Sequence, residues 1–557
     1  MIVTRMFGRL LLLALLATNF IGFAQSSPTW IQAAQIGGTG NERATSITTD
    51  TFGNTVAVGF FEGTIQLGSI SLSCPAGSYR NLYVVKYSPQ GAVLWAQRAG
   101  DGGAAISFAT SSTSVTTDYL GNVYVAGSYL GTVTFGSTTL VGFAAGATAF
   151  LVKFSPTGIP LWARSARSPS GSTSSEVTTD IQGNVFLAGS YGGTATFGTV
   201  SLTSQGNLDN FIAKYDALGA IQWVQSIGGT DTDLSYGAKC DAQGNIYTCG
   251  SFGSTVALGA TALVSSGQSD GFLVKYSPQG VLLWARSFGG TGSDTGLSIA
   301  TDVLNNVYVG GIFSNVAIFG PTAALIGMGG NDGFLMQYND AGTVQWVSQI
   351  GGAGNDELTD ITSPSAGIVY ATGSFTGSAA IGPHNLVSAG GADMWIARFN
   401  GLGTPIWASR GGGNQDEYTT GIASAGNGML FLTLSFAGTT QFGISTATSR
   451  GLFDALVLQA QDTTPLGNKL AVMPSWQVYP NPFSNELTLD VSHFTAPVFI
   501  RLIDANGRQV LQDNFVPSIG LKTYTFPLQE SIVPGVYYLQ VKSGDNSIAT
   551  RRLIKLL

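Results

Sequence analysis

Apolar and polar residues alternate with a period of two through most of this chain, which is the spacing of strands that point successive side chains to opposite faces of a sheet. Residues 270–313 read DGFLVKYSPQGVLLWARSFGGTGSDTGLSIATDVLNNVYVGGIF, and within them Leu297 and Ile299 alternate with Ser298 and Ala300. A turn then leads into an apolar run at 306–309, a Gly-rich excursion passes Phe319-Gly320, and a further run occupies 334–338. Turn residues such as Ser-Pro-Gln-Gly and Asp-x-x-Gly-Asn separate the runs, and none of the runs carries helical periodicity. The pattern predicts four main strands per stretch, with room for a small hairpin in the excursion.

The stretch recurs. A Trp closes the turn-and-strand segment at Trp30, Trp95, Trp162, Trp223, Trp284, Trp346 and Trp407, and the last five are 61 or 62 residues apart. An aromatic two residues after a Gly marks Phe61, Tyr129, Tyr191, Phe252, Phe313 and Phe375; the seventh copy keeps Phe436 but has Leu434 in place of the Gly. Four-stranded units repeated radially make a β-propeller. Trp30 precedes the first complete unit, and the seventh copy stops at residues 455–458 without a Trp strand. The N-terminal strand is thus expected to complete the last blade and leave no free edge. Trp30 lies two residues further from its Gly-Gly than Trp284 does, a shift expected to keep the same sheet face. The fold class read from this is all-β: a seven-bladed β-propeller over residues 25–460. Asp302-x-x-x-Asn306-Val307-Tyr308, Asp332-Gly333-Phe334-Leu335 and Trp346 followed by Gly351-Gly352 resemble the SBBP family of β-propeller repeats. That resemblance implies the fold and no particular reaction.

Charged residues make up only 10% of the 557 and Gly numbers 76, a strand-and-turn composition. A net charge of −7 without basic clusters argues against nucleic acid. Arg5 and Arg9 precede the apolar run 10–16, and Gly22-Phe23-Ala24 offers small residues for cleavage, so residues 1–24 read as a signal peptide. No other segment approaches transmembrane length, so no span is expected in the mature chain. Cys74, Cys240 and Cys249 are the three cysteines; Cys240 faces Ile246 in the expected hairpin, Cys249 falls on the other sheet face, and no disulfide is expected.

Four polar series recur. Asp50, Asp118, Asp180, Asp241 and Asp302 end the first strand, where an Asp accepts backbone N–H bonds within the following turn. Glu42, Asp233, Asp294, Asp356 and Asp416 follow a Gly-Gly at a fixed offset. Asn81, Asp209, Asp270, Asp332, Asp393 and Asp454 open the third strand. These loop acids read as caps of turns and blade junctions. The alternative is a calcium or ligand loop built from Asp231, Asp233, Asp294, Asp356 and Asp416, with Asp231-Thr232-Asp233 nearest to the spacing calcium prefers. Lys86, Lys153, Lys214 and Lys275 read as snorkelling surface residues, with a positive ring for an anionic glycan as the alternative. The even Trp series reads as blade-to-blade packing. His384 and His493 fall in different domains, no HExxH or GxSxG occurs, and no catalytic residue is singled out.

Composition shifts at residues 461–474, a linker. Short alternating runs at 486–491, 498–504, 522–526, 536–541 and 548–553 then predict a small Ig-like β-sandwich over 475–557, with Asn506-Gly507 as a tight hairpin turn. Tyr479-Pro480-Asn481-Pro482-Phe483, Asp504-Ala505-Asn506-Gly507, Gly535-Val536-Tyr537-Tyr538 and the terminal Arg551-Arg552-Leu553-Ile554-Lys555 resemble the type A C-terminal sorting domain of type IX secretion. The resemblance implies engagement with the type IX machinery and export across the outer membrane of a gram-negative cell, with the protein released or surface-attached. It implies Tyr479, Pro480, Asn481, Pro482, Gly535, Tyr537, Arg551 and Lys555 as the sorting motif. The function expected is a secreted or cell-surface binding and adhesion module for a glycan or protein, without a cofactor. A polysaccharide hydrolase or lyase and a purely structural surface protein are the alternatives.

Overall fold

The computed structural model describes residues 28–74, 80–98, 100, 113–143, 146–321, 323–426, 428–464, 478–490, 498–504, 509–515, 523–528, 532–543 and 548–555. The signal peptide, residues 465–474 of the linker, the Asn506-Gly507 turn and His493 lie outside them. Among the described residues every regular element is a strand. In the fourth copy Leu234–Cys240, Ile246–Phe252, Asp270–Tyr276 and Leu282–Gly290 pair in that order, antiparallel throughout. Six further units repeat this order, each with a small hairpin such as Thr255–Leu258 with Thr261–Val264 in the excursion. In the last unit Glu417–Gly426, Met429–Phe436 and Asp454–Gln461 are completed by the N-terminal strand Thr29–Ile36, which pairs with the third from Thr29↔Gln461 to Ile36↔Ala455. The inner strand Arg43–Thr49 lies against both Ser114–Thr117 of unit two and Glu417–Gly426 of unit seven.

The N-terminal strand carries one departure from expectation. A bulge between Trp30 and Gln32 puts Gln32 opposite Gln459, the place where other units pair Trp with the third strand. Trp30 instead pairs with Ala460 and packs edge-on to Phe442, ring centroids 5.4 Å apart. The two-residue offset therefore does not keep Trp30 on the same face, because the bulge absorbs one residue.

The apolar cores lie between units. Tyr247 and Leu273 of unit four share a cluster with Ile299, Val309 and Phe334 of unit five, and Ile47 and Tyr83 of unit one share one with Phe431 and Ala455 of unit seven. The middle strands Ile246–Phe252 and Asp270–Tyr276 are buried along their whole length. That burial overturns the surface reading of the Lys series. Lys86, Lys153, Lys214 and Lys275 are at most 8% exposed. Their ammonium groups lie 2.8, 3.8, 3.7 and 3.7 Å from Asp50, Asp118, Asp180 and Asp241, the acids that end the first strand. Each Asp also holds its turn: Asp180 Oδ1 accepts the N–H groups of Gln182 and Asn184 at 3.0 and 2.9 Å, and Asn184 Nδ2 donates to Oδ2 at 2.7 Å. The turn-capping reading of this series thus stands, with a buried cation added. Breaking such a pair leaves a charge without water or partner. Lys86→Met is expected to cost about 3 kcal/mol, and Lys153→Met less because its pair is wider; denaturant unfolding of both variants measures the difference.

Neighbouring units meet at two glycine contacts. The indole of Trp223 lies under Gly280, where φ is +81°, in the turn of the next unit, and its Nε1 donates to Pro278 O at 3.1 Å. Trp95, Trp162, Trp284 and Trp346 donate in the same way to Pro156, Ala217, Asp340 and Gly401. This is the blade-to-blade packing expected of the Trp series. At the other contact, Gly289-Gly290 leads from one unit into the next. A Cβ on Gly290 would stand 1.8 Å from Val316 O, and one on Gly289 would stand 2.7 Å from Asp294 Oδ2 and 2.8 Å from Asp270 Cγ. Gly290→Ala must push a backbone away and is expected to cost at least ~3 kcal/mol. Gly259→Ala, at φ +60° with nothing within 4 Å, pays only left-handed strain of about 1 kcal/mol. Thermal or denaturant unfolding should rank the two in that order.

The C-terminal residues form two sheets. Val478–Tyr479, Glu486–Asp490 and Thr523–Pro527 make one, and Gln509–Phe515, Val498–Asp504, Gly535–Ser543 and Ile548–Lys555 make the other. Leu487, Leu489, Ile500, Leu502, Phe526, Leu539, Val541 and Leu553 fill the space between them. The strand Gln509–Phe515 was not foreseen: its polar Gln512, Asp513 and Asn514 mask the alternation.

Candidate functional site

The loop acids do not converge on a common centre. Asp233, Asp294 and Asp356 are buried, and each accepts the N–H of the second glycine of its own Gly-Gly, at 2.7, 2.8 and 2.6 Å. Asp233 Oδ1 also accepts Gly253 N–H at 3.1 Å, and Asp294 Oδ1 accepts Ser314 N–H at 3.2 Å. In the last junction this position belongs to Glu417, which accepts Gly413 N–H at 3.0 Å. Asp416 is displaced by one because three glycines, Gly411 to Gly413, precede it; it caps Ala392 N–H at 3.0 Å instead. Asp231 is exposed, apart from the carboxylate that Asp233 holds among backbone donors. Among the described residues no group of three or more His, Cys, Asp or Glu is placed to hold a metal ion. The third series caps too: Asp209, Asp270, Asp332 and Asp393 each accept the N–H four residues earlier, at 2.7–3.0 Å.

A different set of residues converges where the inner strands meet. A cavity of about 230 Å³ is lined from all seven units, by Ser46, Thr116, Glu176, Lys239, Ser298, Asp360 and Ser424 among others. Six inner strands carry a β-bulge, and the residue just after it pairs with an equivalent position on the second strand. That residue is Ser46, Glu176, Gly237, Ser298, Asp360 and Gly421 in units one and three to seven; Ser114 holds the matching place in unit two. Five units therefore present a Ser or a Gly, and units three and six present an acid.

Each of these acids is braced by the serine of the preceding unit. Ser114 Oγ donates to Glu176 Oε1 at 2.5 Å, and Ser298 Oγ donates to Asp360 Oδ1 at 2.6 Å. Asp360 also accepts Ile361 N–H at 2.9 Å and Ile422 N–H at 2.7 Å. Glu176 has only the weaker Val177 N–H at 3.3 Å besides its serine. Burial, with the Asp360 charge adding, pushes the Glu176 carboxyl up to about 7, while the Ser114 hydrogen bond and Lys239 pull against it. Burial raises Asp360 as well. Lys239 is exposed to the cavity two residues beyond Gly237. A carboxyl near neutrality, a second buried acid held by more hydrogen bonds and a lysine in one polar cavity can bind a polar or cationic group and exchange protons with it. The sequence held a signal for this set: an acid four residues before the strand-ending position, in two copies only.

In the C-terminal sheets the motif residues gather around one edge. Asn481 Oδ1 accepts Ile554 N–H at 2.9 Å, Phe483 N–H donates to Ile554 O at 2.8 Å, and Lys555 Nζ donates to Ser484 O. Phe483 packs edge-on to Tyr537 at 6.0 Å, and Tyr537 Oη donates to Val533 O at 2.6 Å. Gly535 pairs with Lys555, and Arg551 pairs with Leu539. Tyr479 stands exposed beside Pro480 and Pro482. The Asn-Pro segment and the chain terminus, far apart in sequence, are thus tied into one surface.

Comparison with known proteins places both parts. Residues 477–555 match the secretion system C-terminal sorting domain, and residues 94–128 match the beta-propeller repeat. An uncharacterized WD repeat-containing protein of Acanthamoeba polyphaga mimivirus is 25% identical over 332 residues, covering 47% of this chain and 24% of that protein. The regulatory protein FlaEY of Caulobacter vibrioides is 26% identical over 253 residues, covering 41% of this chain and 26% of that protein. The chain spans about a quarter of the length of these curated relatives. Among solved structures, a chain of the mitotic checkpoint complex aligns at TM-score 0.41 and 10% identity, over 82% of this chain and 98% of that one. A puromycin hydrolase mutant aligns at 0.36 and 9%, over 81% and 59%. Neither likeness is strong enough to carry an argument. Among the described residues no helix is long and apolar enough to cross a membrane. The chain combines an SBBP-type β-propeller repeat with a type IX secretion C-terminal sorting domain, and that domain directs its export to the cell surface or the surrounding medium.

Proposed function

We propose that the seven units close into a seven-bladed β-propeller, and that the exported protein is a binding and adhesion module that seats a cationic group of its ligand in the cavity between the inner strands. Closure is supported by the pairing of Thr29–Ile36 with Asp454–Gln461 and by the contact of Arg43–Thr49 with the inner strands on either side. The observation that carries the binding reading is the break in the repeat: Glu176 and Asp360 stand where the other five units have Ser or Gly. Two carboxyls against one lysine leave the cavity short of positive charge, and an ammonium or guanidinium group on an amino sugar or a basic peptide would supply it. A carboxyl at about 7 beside a second acid also favours, as the other reading, a paired-carboxylate hydrolase. The cavity, at about 230 Å³, is below the usual size of a small-molecule pocket, which favours capture of an end group over cleavage of a chain.

The test is an array of glycans and basic peptides probed with the purified protein, in calcium and in chelator. Binding to amine-bearing members, equal in both buffers, is expected. It should strengthen as pH rises through about 7, where Glu176 ionises, and fall at least ~10-fold in Glu176→Gln and Asp360→Asn. No binding, or binding untouched by both substitutions, overturns the cavity reading. Calcium-dependent binding would return the exposed loops to consideration, and cleavage of an arrayed glycan would favour the hydrolase.

A further inference from the structure

Five junctions between units bury two carboxyl groups against each other. The pairs are Glu42 with Asp454, Asp233 with Asp209, Asp294 with Asp270, Asp356 with Asp332, and Glu417 with Asp393. All ten side chains are at most 3% exposed. Asp233, Asp294, Asp270 and Asp454 have both oxygens hydrogen-bonded, whereas in the Asp356–Asp332 and Glu417–Asp393 pairs each member keeps one oxygen over. Glu42 Oε1, Asp209 Oδ1, Asp332 Oδ1, Asp356 Oδ1, Asp393 Oδ1 and Glu417 Oε1 are buried with no hydrogen-bond partner. Both members crowd one glycine: a Cβ on Gly412 would stand 2.6 Å from Asp393 Oδ1 and 2.8 Å from Glu417 Oε2.

Two neighbouring buried carboxylates cannot both stay charged without a compensating group. Cations are near only two of the pairs: Arg410 Nη1 donates to Asp393 Oδ2 at 2.6 Å, and Arg450 caps the Gly37 carbonyl beside Asp454 at 3.2 Å. Glu62, itself paired with Arg80 at 2.8 Å, adds a further negative charge toward Glu42, and Asp231 adds one toward Asp233. Among the described residues no cation contacts the Asp233, Asp294 or Asp356 pairs. A divalent cation wants six to eight oxygens, whereas these acids are surrounded by N–H donors, which repel it.

We propose that the Asp356–Asp332 and Glu417–Asp393 pairs each share one proton, so that a carboxyl–carboxylate hydrogen bond fastens the neighbouring units at these two junctions and base removes the fastening. The proton sits between the two free oxygens and leaves to solvent when the pair ionises fully. Burial, with the partner carboxylate adding, pushes Asp233, Asp294 and Asp356 up to about 6, Glu42 to about 7 and Glu417 to about 8. Because these values lie above those of the unfolded chain, the stabilisation is complete only below about 4, falls progressively as pH rises, and is gone above about 6 to 8. The junction of units two and three is a built-in comparison: Thr148 and Ser172 stand in these two places, and Ala149 N–H donates to Ser172 Oγ at 3.0 Å.

Unfolding of the full chain at a series of pH values between about 5 and 8.5 tests this, alongside Glu417→Gln, whose amide donates to Asp393 without needing a proton. The wild-type midpoint should fall by several degrees across the window, and the variant should release one proton fewer on unfolding. Comparing the two cancels Glu176 and Asp360, which both proteins retain. Infrared spectra of the folded protein supply a readout that does not depend on unfolding: a protonated-carboxyl band near neutral pH that titrates away in base and is weaker in Glu417→Gln. A flat or rising midpoint, an unchanged proton count in the variant, or no such band overturns the proposal. So does restoration of the high-pH midpoint by millimolar calcium, since a cation would then hold the pairs.

Discussion

Burial on both faces of the middle strands is the constraint from which most of this molecule follows. A sheet with one solvent face can place Lys, Asp and Gln on that face at no cost. Here a unit has a neighbour on either side, and the strands Ile246–Phe252 and Asp270–Tyr276 have no wet face at all. Every polar side chain that the repeat retains must find a partner inside the stack. Lys275 finds Asp241, Asp241 also holds its own turn, and the Trp284 indole N–H reaches a carbonyl of the next unit. These repeated polar residues hold the frame, and their regularity follows from packing.

This explains which parts of the structure were legible in the sequence. The Trp spacing, the Gly-Gly junctions and the Asp-x-x-Gly-Asn turns each encode a contact set by backbone geometry, and each was readable as such. The Lys series was misread because alternation along a strand says only that two faces exist; it does not say that either faces water. Trp30 was misplaced because a bulge adds a residue without leaving a mark in the periodicity. Glu176 and Asp360 were legible only by comparing copies: four residues before the strand-ending position they stand where five other units hold Ser or Gly.

The buried acids sort into two kinds by what surrounds them. The junction acids face backbone N–H groups, one another and a glycine with no side chain, so the space between them is closed and repeated. Glu176 and Asp360 face a cavity, occur once each, and are braced by serines from the preceding unit, which hold the carboxyls without filling the space in front of them. Burial is the largest cause of the raised pKa in both kinds; the neighbouring carboxyl adds to it at the junctions, and the Asp360 charge adds to it at Glu176.

The sorting domain follows the opposite logic to the repeats. Tyr479 is exposed, Phe483 and Tyr537 pack into the space between the sheets, and the Asn481–Ile554 and Phe483–Ile554 hydrogen bonds tie the last strand to the Asn-Pro segment at one edge. A machine that reads this domain needs one surface, not a deep core, and residues more than 70 positions apart supply it only once both sheets have formed. This arrangement depends on both sheets of the sorting domain, while the fit of the repeats depends on contacts between units. The two halves of the chain are held to their tasks by different physics: one by a surface that must stay open, the other by interiors that must stay closed.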